Sequence, residues 1–172
     1  YAMSKWVNEM QIYNARNTAG NQVMIARLFN TYGPGEYYTP YRSAVCVFCY
    51  KALHNEPYTV FTNHTRSSLY IDDCTEALIN FIPGFKDGAV FNLAGSQVHT
   101  MKEVSDLILS CLGRDDSLVQ YMDEEPFTTR DKVADTARAQ TAIGFYPKVD
   151  LKEGIQLTID WMKKVYQRTA GK

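Results

Sequence analysis

Apolar positions follow two rhythms along this chain, and each change of rhythm marks an element. Met3, Trp6, Val7, Met10 and Tyr13 recur at helical spacing, which predicts a helix over residues 1–18 stopped by Ala19-Gly20-Asn21. A nearly continuous apolar run at 23–29 predicts a strand covered on both faces, as in a parallel sheet. Asn30-Thr31-Tyr32-Gly33-Pro34-Gly35 ends it with turn residues, so 30–42 reads as a loop at the carboxyl end of a strand, where open α/β sheets hold their ligands. A helix over 43–53 follows, closed by Asn55-Glu56-Pro57, then a strand at 58–61, a polar loop at 62–66 and an extended piece at 69–71.

Asp73 and Glu76 have capping-box spacing ahead of the apolar run 77–81, which makes Asp73 an N-cap candidate. A strand at 89–93 leads to Thr100 and Glu103, again at capping spacing, before a helix over 104–112. A strand at 118–122 and helices at 136–143 and 151–166 complete the chain, with a stop between them at 144–147. This alternation predicts an α/β fold. No internal repeat or low-complexity linker interrupts it.

At 172 residues, 45% hydrophobic and 22% charged, the chain can bury a real core, alone or as part of a larger domain. A net charge of -1 with both signs interspersed argues against a nucleic-acid partner. No apolar stretch approaches the ~20 residues that span a bilayer, so the protein is expected to be soluble, cytoplasmic and without a membrane partner. Cys46 and Cys49 lie inside an apolar helical run with no second pair, and are expected to be buried thiols rather than metal ligands. His54, His64 and His99 stand in separate segments, make no metal signature and read as surface or loop residues.

Tyr1 and Lys5 lie one helical turn apart on one face. An ammonium beside a phenol favours the phenolate and lowers a pKa that is otherwise near ~10, which makes the pair a candidate acid–base. On spacing alone, a solvated helix face explains it as well.

Several separated motifs give the pair a context. Tyr1-x-x-x-Lys5, Arg27-Leu-Phe-Asn-Thr-Tyr-Gly-Pro-Gly35, Arg66-x-x-x-Tyr70-Ile-Asp-Asp73, Phe91-Asn-Leu-Ala-Gly95 and Gly144-Phe-x-Pro147 together resemble the extended short-chain dehydrogenase/reductase family, in particular its NAD-dependent nucleotide-sugar epimerases and dehydratases. The resemblance runs from end to end. It implies the C-terminal part of a Rossmann-like fold: the last parallel strands and helices plus the small substrate-binding subdomain. The family's glycine-rich cofactor turn is not found here, so the chain is expected to be the C-terminal half of such an enzyme, inactive without its cofactor-binding half, with the catalytic helix at 1–18 and the substrate-binding region at about 30–172.

By the same resemblance, Tyr1 takes a proton from the sugar, usually at C4, and Lys5 lowers the tyrosine pKa and bonds the nicotinamide ribose, which makes NAD the cofactor and both residues part of its site. Asn30 and Arg66 match the family's contacts to the nucleotide-sugar diphosphate, and a guanidinium fork suits phosphate oxygens. Arg130 matches a second phosphate-binding arginine, while Tyr32 and Arg42 fall in the loop that shapes the sugar pocket. Arg42 fits a substrate hydroxyl or carboxylate, or plain solvent exposure. The resemblance also implies a homodimer built on the first helix, whose apolar stripe could instead pack on the chain's own sheet. UDP-glucuronate decarboxylase chemistry stays open beside 4-epimerisation and 4,6-dehydration, and so does a purely binding or dimerising role.

Overall fold

Strand and helix alternate as the apolar rhythm predicts, in a computed structural model that describes residues 1–167. The order is α1 (Ala2–Ala19), β1 (Met24–Leu28), β2 (Thr31–Tyr32), α2 (Ala44–Leu53), β3 (Tyr58–Phe61), β4 (Thr65–Arg66), β5 (Leu69–Tyr70) and α3 (Ile71–Asn80). There follow β6 (Ala89–Leu93), β7 (His99–Thr100), α4 (Met101–Leu112), β8 (Val119–Met122), β9 (Asp131–Lys132), α5 (Ala137–Ile143) and α6 (Leu151–Gln167). β1 pairs with β6, β2 with β5 and β3 with β8, each in parallel, and β4 lies between antiparallel β7 and parallel β9. The fold is α/β, as expected.

Local chemistry sets the helix ends. Ser43 accepts the Cys46 N–H at the head of α2, and Thr100 and Glu103 close a reciprocal capping box on α4. Gly20, Gly113 and Gly144 stop α1, α4 and α5 in the left-handed conformation, with φ of 69°, 63° and 63°.

Two cores result. The larger joins α2, α4 and α6 over β3, with Val60, Val104, Ile108, Ile155, Ile159 and Met162 sealed inside it. The smaller packs α3 and α5 on the inner face of β6, around Leu69, Phe91, Leu93 and Phe145. Cys46 and Cys49 are buried in the larger core and Cys74 in the smaller, all as free thiols, in line with the sequence reading of the first two. Burial pushes the Cys46 thiol up to about 12, with the Glu36 charge adding to the shift, and it also raises Cys49 and Cys74.

Three expectations need correction. β1 is not covered on both faces: only Ile25 is buried, and Arg27 and Leu28 remain exposed. Asp73 is not an N-cap, because α3 already begins at Ile71; the buried carboxylate instead accepts the main-chain N–H groups of Lys148 and Val149 at 3.0 and 3.1 Å. Residues 31–32 are not loop but strand β2, paired with β5.

The segment between β2 and α2 is pinned at both ends. Glu36 accepts the Ser43 N–H and hydroxyl at 2.9 and 2.7 Å, while Tyr38 stacks on Tyr50 of α2 at 3.8 Å and donates its N–H to the Tyr166 hydroxyl of α6. Those ties hold Arg42 and the N-terminus of α2 beside the ends of β3 and β4.

Candidate functional site

A cavity of about 410 Å³ opens where these ends meet. Asn30 contributes from the end of β1, Arg42, Ser43, Ala44, Val45, Val47 and Phe48 from the head of α2 and the residues before it, Thr59 and Phe61 from β3, and His64 and Arg66 from β4 and the turn before it. Met101, Glu125 and Lys132 complete the rim. The amide groups of Ala44 and Val45 belong to the first turn of α2, whose N-terminal dipole favours a negative ligand.

Arg66 dominates the electrostatics. It is 9% exposed and makes no ion pair among the described residues. Its Nη1 donates to the carbonyls of Thr65 and Arg130 at 2.7 and 2.6 Å, and its Nη2 lies 3.0 Å from His64 Nδ1. All three acceptors are neutral. Burial pulls the guanidinium pKa below its ordinary value, with the charges of Glu125 and Asp131 opposing that shift. Lys132, half-buried on β9, is lowered for the same reason, first by burial and then by the Arg66 charge. A buried guanidinium without a carboxylate is costly unless an anion reaches it. Arg42, Arg66 and Lys132 stand against the single carboxylate of Glu125, so the cavity lining carries an excess of positive charge.

Asn30 sits on the cavity wall in left-handed backbone, φ 45°, and its side-chain amide donates to the Ser67 carbonyl at 3.3 Å. Close approach shapes the neighbouring wall too: a Cβ on Gly95, just past β6, would strike the Ser68 carbonyl, so the absence of a side chain there lets this segment pass against the link between β4 and β5.

The structure thus brings Asn30, Arg42 and Arg66 together and leaves the other sequence candidates outside. Tyr32 is a core residue, not a pocket one: its ring meets Tyr70 edge-on at 5.7 Å, its hydroxyl abuts Gly154 of α6, and burial drives its pKa far above the usual phenol value. Arg130 turns its side chain to solvent, 63% exposed, with its Nε 3.8 Å from Asp131; its contribution to the site is the carbonyl that holds Arg66. Tyr1 is 95% exposed and neither it nor Lys5 lines the cavity. The Lys5 ammonium sits 5.4 Å from the Tyr1 ring centroid, and neither polar end bonds to another described residue.

Two cavity residues escaped the sequence reading. His64 is buried, 2% exposed, not a surface residue, because Phe61, Met101 and the 123–125 segment close over it. Lys132 takes the place expected for Arg130. For His64 a partial signal was present, since residues two apart on an extended segment share a face and His64 goes with Arg66; the same parity pairs Lys132 with Arg130 and so does not single it out.

Comparison with known proteins agrees with this architecture. A family model described as GDP-mannose 4,6 dehydratase matches residues 1–158. UDP-glucuronic acid decarboxylase 6 of Arabidopsis thaliana is 30% identical over 159 residues, covering 91% of this chain and 46% of its own length. The chain thus spans about half the length of the curated relatives it matches. Among solved structures, the UDP-glucose 4-epimerase of Thermotoga maritima with UDP-glucose superposes with a TM-score of 0.86 at 26% identity, covering 96% of this chain and 54% of that one. The UDP-glucuronic acid 4-epimerase of Bacillus cereus, solved with UDP-glucuronic acid and NAD, gives 0.88 at 24% identity, covering 96% and 53%.

Proposed function

Because the chain belongs to the GDP-mannose 4,6 dehydratase family of extended short-chain dehydrogenase/reductase nucleotide-sugar enzymes, we propose that its cavity holds the diphosphate of a nucleotide sugar in an NAD-dependent epimerase or dehydratase. The observation that carries this reading is Arg66, a buried guanidinium held only by neutral acceptors and facing the cavity beside Lys132 and the head of α2. Phosphate oxygens supply the missing negative charge, and the guanidinium fork suits them. Asn30 offers an amide and Arg42 a further cation.

Residues 1–18 serve as the catalytic helix and 30–172 as the substrate-binding region, completed by a cofactor-binding half of the full protein. NAD, when bound, accepts a hydride from the sugar carbon. Tyr1 takes the proton of the hydroxyl on that carbon, and Lys5, whose ammonium lies beside the Tyr1 ring, bonds the cofactor ribose. Two outcomes would follow from the ketone so formed: return of the hydride to the opposite face of the same carbon inverts it, whereas loss of the adjacent C–H proton, which the ketone acidifies, expels water and leaves an alkene to which the hydride returns. Decarboxylation is the second reading, favoured by the 30% identity to the plant decarboxylase.

Calorimetric titration with UDP tests the anchor. Arg66→Ala should weaken binding by about 1.5–3 kcal/mol, the worth of a charge-assisted contact, or roughly ten- to a hundredfold. Arg130→Ala, which keeps the carbonyl, should leave it nearly unchanged. Equal losses in both variants would remove Arg66 from the site.

For the whole protein, α1 leaves Met3, Trp6, Val7 and Met10 exposed, which supports pairing of this helix with a second copy into a homodimer. Sedimentation of the full protein should show a dimer that Trp6→Gln weakens; a monomer at high concentration would refute the pairing.

A further inference from the structure

His64 makes two contacts that its ring cannot satisfy together. Nδ1 lies 3.0 Å from Arg66 Nη2, and the Glu125 main-chain N–H points at Nε2 from 3.1 Å. Both partners only donate. A guanidinium in a protein never loses its proton, and a peptide nitrogen has no lone pair to offer, so neither can accept. A neutral imidazole carries one bare nitrogen, so at any moment it accepts from one partner and turns an N–H on the other. With the residue 2% exposed, water does not fill in. The charge-assisted contact is the stronger of the two. In the free cavity Nδ1 therefore accepts from Arg66, the proton sits on Nε2, and the Glu125 N–H faces another donor.

The segment carrying that unsatisfied N–H shows a second sign of poor seating. Phe127, two residues on, is fully exposed and holds a left-handed φ of 60°, a conformation that suits glycine and strains a bulky side chain. Glu125 itself borders the cavity.

We infer that His64 is a positioning residue whose tautomer links occupancy of the anion site to the seating of the 123–128 segment. The inference rests on the diphosphate reading of the cavity. While the cavity is free, the Nδ1 lone pair holds Arg66 in place. When a diphosphate takes both Nη2–H bonds of Arg66, the Nδ1 lone pair loses its partner. The ring then changes tautomer as the 123–128 segment lifts and admits solvent, giving up the Nε2 proton and taking one at Nδ1, so its net charge is unchanged. Nε2 now accepts the Glu125 N–H, and the segment settles at the cavity mouth. The other charged groups felt by the ring are Glu124 and Lys132, which act in opposite senses.

The protein has three histidines, so selective labelling with ¹⁵N-histidine gives three resolvable rings, assigned with His54→Gln and His99→Gln. Spectra are recorded well above the ordinary imidazole pKa, with and without UDP, and with inorganic pyrophosphate in place of UDP. The expected result is an Nε2–H ring in the free protein and an Nδ1–H ring when either ligand is bound, with new protection of the Glu125 amide from hydrogen exchange. His64→Asn keeps one acceptor for Arg66 and cannot exchange tautomers. It should still bind UDP but lose the protection at Glu125. UDP binding with unchanged ring nitrogen shifts, or with equal Glu125 protection in His64→Asn, would overturn the tautomer link alone. Failure of UDP and pyrophosphate to bind at all would overturn the anion site and the link together.

Discussion

Asp73 illustrates how much a single side chain decides here. Its carboxylate is 5% exposed and accepts two main-chain N–H groups at the entrance to α6, joining the start of α3 to a segment 75 residues away. Asp73→Ala leaves both main-chain donors without their acceptor at a part-buried site. The expected loss is about 2–4 kcal/mol, read by thermal unfolding as a fall of roughly 2–4 °C per kcal/mol for a chain of this size; an unchanged melting temperature would refute the role. The sequence carried a real signal at this position, Asp73 three residues before Glu76, but the local capping reading lost to a long-range one. Arg66 was legible as an anion-binding side chain because its chemistry is intrinsic. The burial of His64 was not, since it depends on Met101 and Glu125 arriving from elsewhere.

At the level of elements, long periodic segments were read well, and of the two-residue strands only β5 was, as the extended piece at 69–71. The helices at 43–53, 104–112, 136–143 and 151–166 and the strands at 58–61, 89–93 and 118–122 match α2, α4, α5, α6, β3, β6 and β8 to within a few residues. β4, β7 and β9 are too short to show any period, yet together they form the sheet that carries Arg66, His99 and Lys132. Element packing also explains a glycine inside a helix. A Cβ on Gly154 would lie 2.9 Å from the Tyr32 ring carbon that bears the hydroxyl and 3.0 Å from Tyr70, so α6 can pack this closely only without one. Gly154→Ala should therefore cost about 1–3 kcal/mol despite alanine's better helix propensity. Tyr32→Phe, which removes the clashing hydroxyl, should recover part of it in a double-mutant cycle. Additive effects would separate the two residues.

Over the whole molecule, the two cores divide the labour. The larger fixes the head of α2 and the β3 end of the cavity, and the smaller fixes β6 and the strand that leads to Arg66. The cavity lies where contributions from positions 30, 66, 101, 125 and 132 converge, so no stretch of sequence displays it whole. What could be read beforehand were the motifs that resemble a known family; what could not were Lys132 in place of Arg130 and the inward turn of Tyr32.

The sealed thiols have a practical consequence. Cys46, Cys49 and Cys74 are buried, and their surroundings oppose ionisation, whereas Cys111 is only partly covered. Since the thiolate is the species that alkylates, iodoacetamide should modify Cys111 early and the other three only when a core opens. Cys74 would then report on the smaller core and Cys46 with Cys49 on the larger, so mass spectrometry of timed samples would read the opening of each half of the molecule without any added probe.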